Sequence, residues 1–185
     1  PTRRSSDLSM EFFTYPWMKN FFKEDTDKFY FNHLAGTLTF LPYGVLVDHF
    51  QHEVYEHPEM SPAERKATWR KLEKMYQPSK DYEGCDFLER GGWWFQQAHI
   101  FDSPFYYIDY TLAQVCALQF YAKLSADYKE AWKDYLHLCT LGGTKSFLGL
   151  VKEANLENPF AAGTIEATMK AVLPHLEEFS KGNIN

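Results

Sequence analysis

The chain has 185 residues, enough for one large domain or two small ones. With 45% hydrophobic and 24% charged residues it has ordinary globular usage, which excludes disordered and collagen-like classes. A balance of 19 Lys+Arg against 25 Asp+Glu leaves a net charge of −6, which argues against a nucleic-acid partner, and no apolar run reaches the roughly 18 residues a bilayer-spanning helix needs.

In chain order, Pro1 to Leu8 (PTRRSSDL) is polar, basic and without helical periodicity, and no initiator Met precedes it. Residues 1–8 read as a non-native leader, resembling a translated sequencing adapter fused to an interrupted coding region, or else as a native disordered arm. Fold expectations therefore start at residue 9. From Ser9 onward the periodicity is helical almost throughout, predicting helices near 9–22, 26–56, 61–76, 104–125, 127–141, 145–155 and 164–180. Asp25-Thr26-Asp27 supplies cap chemistry to the second helix, and Pro42 lies within it. Ser61-Pro62-Ala63-Glu64 is a helix start: a Ser cap, Pro at the first helical position, Glu three after the cap. The longest irregular stretch, Gln77 to Ser103, contains Gly84, Gly91-Gly92 and Trp93-Trp94, and a loop of that length in a compact domain is usually functional. Gly142-Gly143 stops a later helix, and Asn158-Pro159 marks a turn. The fold class is all-α.

Aromatics reach 18%, with 12 Tyr and 16 Phe. The three cysteines, Cys85, Cys116 and Cys139, are an odd number without Cys-x-x-Cys spacing, so they read as small buried apolar residues in a reducing compartment. The predicted helix 104–125 is apolar on nearly every face and belongs inside the protein. Within it Tyr107, Tyr110 and Gln114 share one face at i, i+3 and i+7; either they hydrogen-bond within the core or they line a wet cavity. Asp109 in the same helix reads as a hydrogen-bonded core acid, and Glu11 is an acid in apolar surroundings.

Three constellations suggest chemistry. His49, His52-Glu53 and His57 invite a zinc reading, but His52 and His57 are five apart and lie about 140° apart around a helix, too far to share one tetrahedral ion. A site on His49, Glu53 and His57 would need their ligand atoms to converge on one point. Gly142-Gly143-Thr144-Lys145-Ser146 has neither the spacing nor the preceding strand of a phosphate loop. His99, just before Pro104 and the tyrosine-bearing helix, could meet two phenols at a common point, where neutral donors would stabilise an oxygen turning negative.

Ser9-Met10-Glu11-Phe12-Phe13, Phe31-Asn32-His33-Leu34, Pro42-Tyr43-Gly44-Val45, Asp48-His49-Phe50-Gln51-His52, Gly91-Gly92-Trp93-Trp94-Phe95, the run from His99 to Tyr110 and Leu141-Gly142-Gly143-Thr144-Lys145-Ser146-Phe147 follow one another in order. Together they resemble the C-terminal part of the oligoendopeptidase F branch of the thimet-oligopeptidase-like zinc metallopeptidases. The resemblance covers the chain from Ser9 to its end and is most specific from Gly91 to Gln114. It implies a helical fold with a deep channel that admits short peptides, and a zinc held by two histidines of H-E-x-x-H and a glutamate about one helix further on, with the motif's Glu activating water. This sequence contains no H-E-x-x-H, which the resemblance would put upstream of Pro1, and the third ligand's position falls on Arg4.

The resemblance thus implies that residues 9–185 are the C-terminal helical portion of the catalytic domain. Zinc belongs to the intact enzyme and is not expected on this fragment. Its partners would be short peptide substrates and the missing N-terminal portion of the same protein, in the cytoplasm, with no nucleic acid and no membrane. Carried over by position, Tyr110, Tyr107 and His99 are catalytic; His99, Tyr106, Tyr107, Tyr110, Gly91 and Gly92 bind substrate, the glycines by lending the loop flexibility. Glu11 stands behind the metal ligands. The competing expectation is a non-catalytic helical module that holds peptides in an aromatic groove.

Overall fold

Local chemistry explains most of the helix boundaries. Ser61 Oγ accepts from Glu64 N at 3.3 Å and Glu64 Oε2 accepts from Ser61 N at 2.8 Å, a reciprocal cap that starts α4 (Pro62–Tyr76). Asp127 caps α8 (Tyr128–Leu141) through Lys129 N and Glu130 N, at 3.0 and 3.2 Å. Gly142 at φ 52° ends that helix, and Ser146 caps α9 (Phe147–Glu153), so the glycine pair is a stop followed by a new start. The remaining long helices are α1 (Thr2–Phe13), α3 (Thr26–Glu56), α7 (Ile108–Ala126) and α10 (Thr164–Phe179), with short α2 (Lys19–Phe22), α5 (Asp86–Glu89) and α6 (His99–Asp102) between them. The computed structural model describes residues 2–182, with side chains from residue 7; among the described residues there is no strand, and no helix is long and apolar enough to cross a membrane.

Three boundaries differ from expectation. The first helix reaches back through the polar leader to Thr2, with its side chains before Asp7 outside the described residues, and stops at Phe13. Tyr15 precedes Pro16, which disfavours a continuing α-helix, and the chain proceeds by 3-10 turns at Tyr15–Trp17 and Lys23–Asp25 around α2. The tyrosine-bearing helix begins at Ile108, because Ser103 before Pro104 is extended in φ (−146°) and Phe105 sits at φ 60°. The stretch 77–103 is not wholly irregular: it holds α5, a 3-10 turn at Gly92–Gln96, and α6. Of the three cysteines expected inside, only Cys116, on apolar α7, is buried; Cys85 and Cys139 are exposed.

The chain divides into two compact units, one of residues up to Leu38 and from Leu112 onward, the other Thr39–Thr111. In the first, Phe13, Phe120, Tyr135, Leu138, Leu150 and Val151 form the core. Beside them Glu11 Oε2 lies 2.9 Å from His33 Nε2, while His33 Nδ1 lies 2.7 Å from Tyr15 Oη. In the second, Leu46, Val47, Phe50, Trp69, Leu72 and Trp94 form the core, with Tyr43, Trp93, Ile100 and Tyr107 packed against it.

A buried carboxylate ties the loop of this second unit to α4. Glu73, with no exposed surface, accepts from Trp69 Nε1 at 3.3 Å, from Arg70 Nη1 at 2.9 Å and from the Tyr82 hydroxyl. Arg70 Nη2 reaches Glu89 at 2.7 Å, bridging both ends of the 82–89 segment to the helix. Burial, then the bond to Glu73, pushes the Tyr82 phenol well above its usual pKa. Gly91 follows directly, at φ 88°, so close to α4 that a Cβ there would stand 1.9 Å from the Lys66 carbonyl oxygen.

Two variants test this clamp by urea unfolding. Arg70→Met leaves the Glu73 carboxylate buried without its cation and lowers stability by about 3–5 kcal/mol. Gly91→Ala adds left-handed strain to a backbone collision and costs about 1–3 kcal/mol. Wild-type midpoints for either variant would contradict the assignment.

Candidate active site

The side chains that converge in the Thr39–Thr111 unit come from three places: Tyr43 on α3, Gln97 and His99 at the start of α6, and Tyr106, Tyr107 and Tyr110 where α7 begins. Gly44 lets α3 and α7 meet there, since a Cβ on it would fall 1.9 Å from Thr111 Oγ1. The turn before α7 is held by Gln51, whose buried side chain accepts the Phe105 N–H at 2.8 Å and so secures the residue at φ 60°. This turn replaces a first helical turn and sends Tyr106 and Tyr107 toward His99.

His99 Nε2 lies 3.2 Å from Tyr110 Oη, and its Nδ1 lies 2.8 Å from Gln97 Nε2. Tyr107 meets the imidazole edge-on, with ring centroids 5.1 Å apart, and Tyr110 lies 5.3 Å from Tyr107. Tyr106 is further out at 6.5 Å from His99 and is exposed. Behind them Tyr43 donates to Gln97 Oε1 at 2.8 Å. Burial, reinforced by the neighbouring Tyr107 phenol, pushes Tyr43 up to about 12, and burial also raises Tyr107. Both phenols therefore stay protonated donors across neutral pH.

The sequence expectation that His99, Tyr107 and Tyr110 share a point agrees with these distances, and the two phenols are half-buried. Gln114, placed on the same stripe by spacing, is buried and belongs to the other unit. Gly91 and Gly92 are also buried, and a Cβ on Gly92 would stand 2.3 Å from Phe87, so close packing is the reason glycine occurs there. Asp109 is half-buried at the first turn of α7. Sequence reasoning assigned nothing to Gln97 or Tyr43; the position of Gln97 two residues before His99 was the one available signal.

The histidines of α3 do not gather. His49 lies 2.9 Å from Tyr76 Oη and 3.4 Å from Glu53, His52 is 3.4 Å from Asp48, and His57 turns to Glu59 at 3.4 Å beyond the helix end. A metal site on His49, Glu53 and His57 is thereby corrected: the last turn carries His57 away. Among the described residues no three His, Cys, Asp or Glu form a group that could hold a metal ion.

Residues 6–170 match the family described as Peptidase family M3. The chain is similar to a solved structure of PZ peptidase A with an inhibitor, at 56% identity and a TM-score of 0.89, covering 92% of this chain and 30% of that one. It is similar to a structure described as an oligoendopeptidase F, at 54% identity and a TM-score of 0.87, covering 96% and 31%. A third, described as an oligoendopeptidase F from Bacillus anthracis strain Ames, is 51% identical with a TM-score of 0.76, covering 92% and 27%. No curated protein matches. The chain thus spans 27 to 31% of the length of these solved relatives.

The Tyr43 value makes a pH prediction. The group binds its proton more tightly folded, at about 12, than unfolded, at 10.0, so its contribution is whole below about pH 10 and is lost as pH rises toward 12. Urea unfolding between pH 9 and 12 will show wild type losing stability more steeply than Tyr43→Phe; parallel curves would contradict the burial of this hydroxyl.

Proposed function

Because the chain belongs to peptidase family M3, we propose that it forms part of a zinc-dependent endopeptidase that hydrolyses short peptides, and that His99, Tyr106, Tyr107 and Tyr110 are its substrate-binding and oxyanion-stabilising wall. The observation that carries this reading is the 3.2 Å contact between His99 Nε2 and Tyr110 Oη, with Tyr107 edge-on beside it. A peptide carbonyl under attack gathers negative charge on its oxygen. Neutral phenol O–H donors that are already oriented stabilise that charge without reorganising. Burial keeps the Tyr107 phenol protonated, as such a donor must be.

Zinc needs three or four N, S or O ligands converging at about 2.0–2.3 Å. The groups of this chain do not fit it, since no such cluster exists among the described residues. Its ligands and the water-activating base would come from protein outside this chain, in keeping with the 30% of the PZ peptidase A chain that is spanned. Glu11, bonded to His33, would stand behind those ligands. The location we propose is the cytoplasm, on the odd cysteine count without Cys-x-x-Cys spacing.

In the intact peptidase Tyr110→Phe will lower kcat by about 10²-fold on a quenched fluorescent peptide, as for one lost oxyanion donor, with KM little changed. An unchanged kcat would remove Tyr110 from this role. The 185-residue chain by itself, with zinc added, will release no fluorescence, and chelator-sensitive turnover would show that it holds its own metal.

A further inference from the structure

The bonds that run from Tyr43 to Tyr110 have a direction, and donor chemistry fixes it. An amide oxygen can only accept, so Tyr43 donates its phenol hydrogen to Gln97 Oε1 at 2.8 Å. The amide is thereby oriented, and its Nε2 faces His99 Nδ1 at 2.8 Å. An amide NH2 has no lone pair to offer, so Nδ1 must be the acceptor and the imidazole proton resides on Nε2. Nε2–H then donates to Tyr110 Oη at 3.2 Å. A phenol oxygen that accepts from the imidazole directs its own hydrogen elsewhere.

We propose that Tyr43 and Gln97 are positioning residues that hold His99 as its Nε2–H tautomer and thereby turn the Tyr110 hydroxyl hydrogen away from the imidazole, toward the carbonyl oxygen of a bound peptide. The inference rests on the reading of Tyr110 as a donor to that oxygen. Its content is the inverse arrangement that the sequence avoids. Were the amide reversed, Oε1 would accept from Nδ1–H, Nε2 would become the acceptor, and Tyr110 would spend its hydrogen on the imidazole. Gln97→Glu imposes this reversal, because a carboxylate accepts from Tyr43 and from His99 alike.

Two measurements test the proposal separately. The first is the protonation of the His99 ring nitrogens in the 185-residue chain by nitrogen-15 NMR, the signal being assigned by its loss in His99→Asn. Wild type is expected as Nε2–H and Gln97→Glu as Nδ1–H, a change that lost packing alone would not produce. A wild-type Nδ1–H form, or a Gln97→Glu variant with unaltered ring nitrogens, overturns the proposal and leaves the role of Tyr110 standing. Should Gln97→Glu fail to fold, Tyr43→Phe carries the test: it frees the amide to turn, so both tautomers are expected, and an unmixed Nε2–H form overturns the proposal. The second is peptide hydrolysis by the intact peptidase, where Gln97→Glu is expected to lower kcat by about 10²-fold with KM little changed. Full turnover despite a reversed tautomer would overturn the proposal. If Tyr110→Phe is also fully active, the reading of the wall itself falls.

Discussion

A carboxylate with no access to water has to be surrounded by donors, and in the 39–111 unit Glu73 recruits them from its own helix and from the segment that follows it. Trp69 and Arg70 come from its own helix, while Tyr82 comes from a segment with almost no regular structure. Arg70 extends the tie to Glu89. Once these bonds form, the chain is pinned at 82 and 89, and Gly91 crosses within touching distance of the Lys66 carbonyl. The segment from Trp93 to His99 leads on from that crossing, with Trp94 packed on Phe50 and Gln97 bonded by Tyr43. Such a site gains rigidity at a cost in stability if any partner is lost, because the carboxylate cannot be left buried without its cation.

The second half of the site obeys a different constraint, the approach of α7 to α3. Gly44 permits the contact at Thr111, and the left-handed Phe105, held by buried Gln51, starts α7 late enough that Tyr107 and Tyr110 face His99. Two independent devices, a polar clamp on α4 and a strained turn before α7, thus bring an imidazole and two phenols together. Strain of this kind persists only where the surroundings over-determine it, which here means the bond from Gln51.

What this arrangement offers chemically is a set of neutral donors with settled directions. Burial raises Tyr43 and Tyr107, so neither phenol ionises near neutral pH. A donor that stays neutral and is already oriented contributes more to a developing negative charge than one that must reorganise. In the function proposed above, the metal ligands come from protein outside this chain and these donors form one face of a larger reaction centre.

Much of this was legible in the residues. Apolar spacing at 3.6, the Ser61–Glu64 cap and the glycine stop at 142–143 depend on neighbours within one turn, and the helices they predict are present. The ordered motifs from Ser9 to Phe147 carried the family, and adjacency in sequence sufficed to place His99 near the tyrosines. The late start of α7 was beyond sequence reasoning, because it depends on Gln51, 54 residues from Phe105. The same holds for Tyr43, whose bond to Gln97 also joins residues 54 apart. Local pattern reports what a residue does to its own turn, whereas the direction of a hydrogen bond in a buried chain is set by which donors and acceptors stand at each lone pair, and only packing decides that.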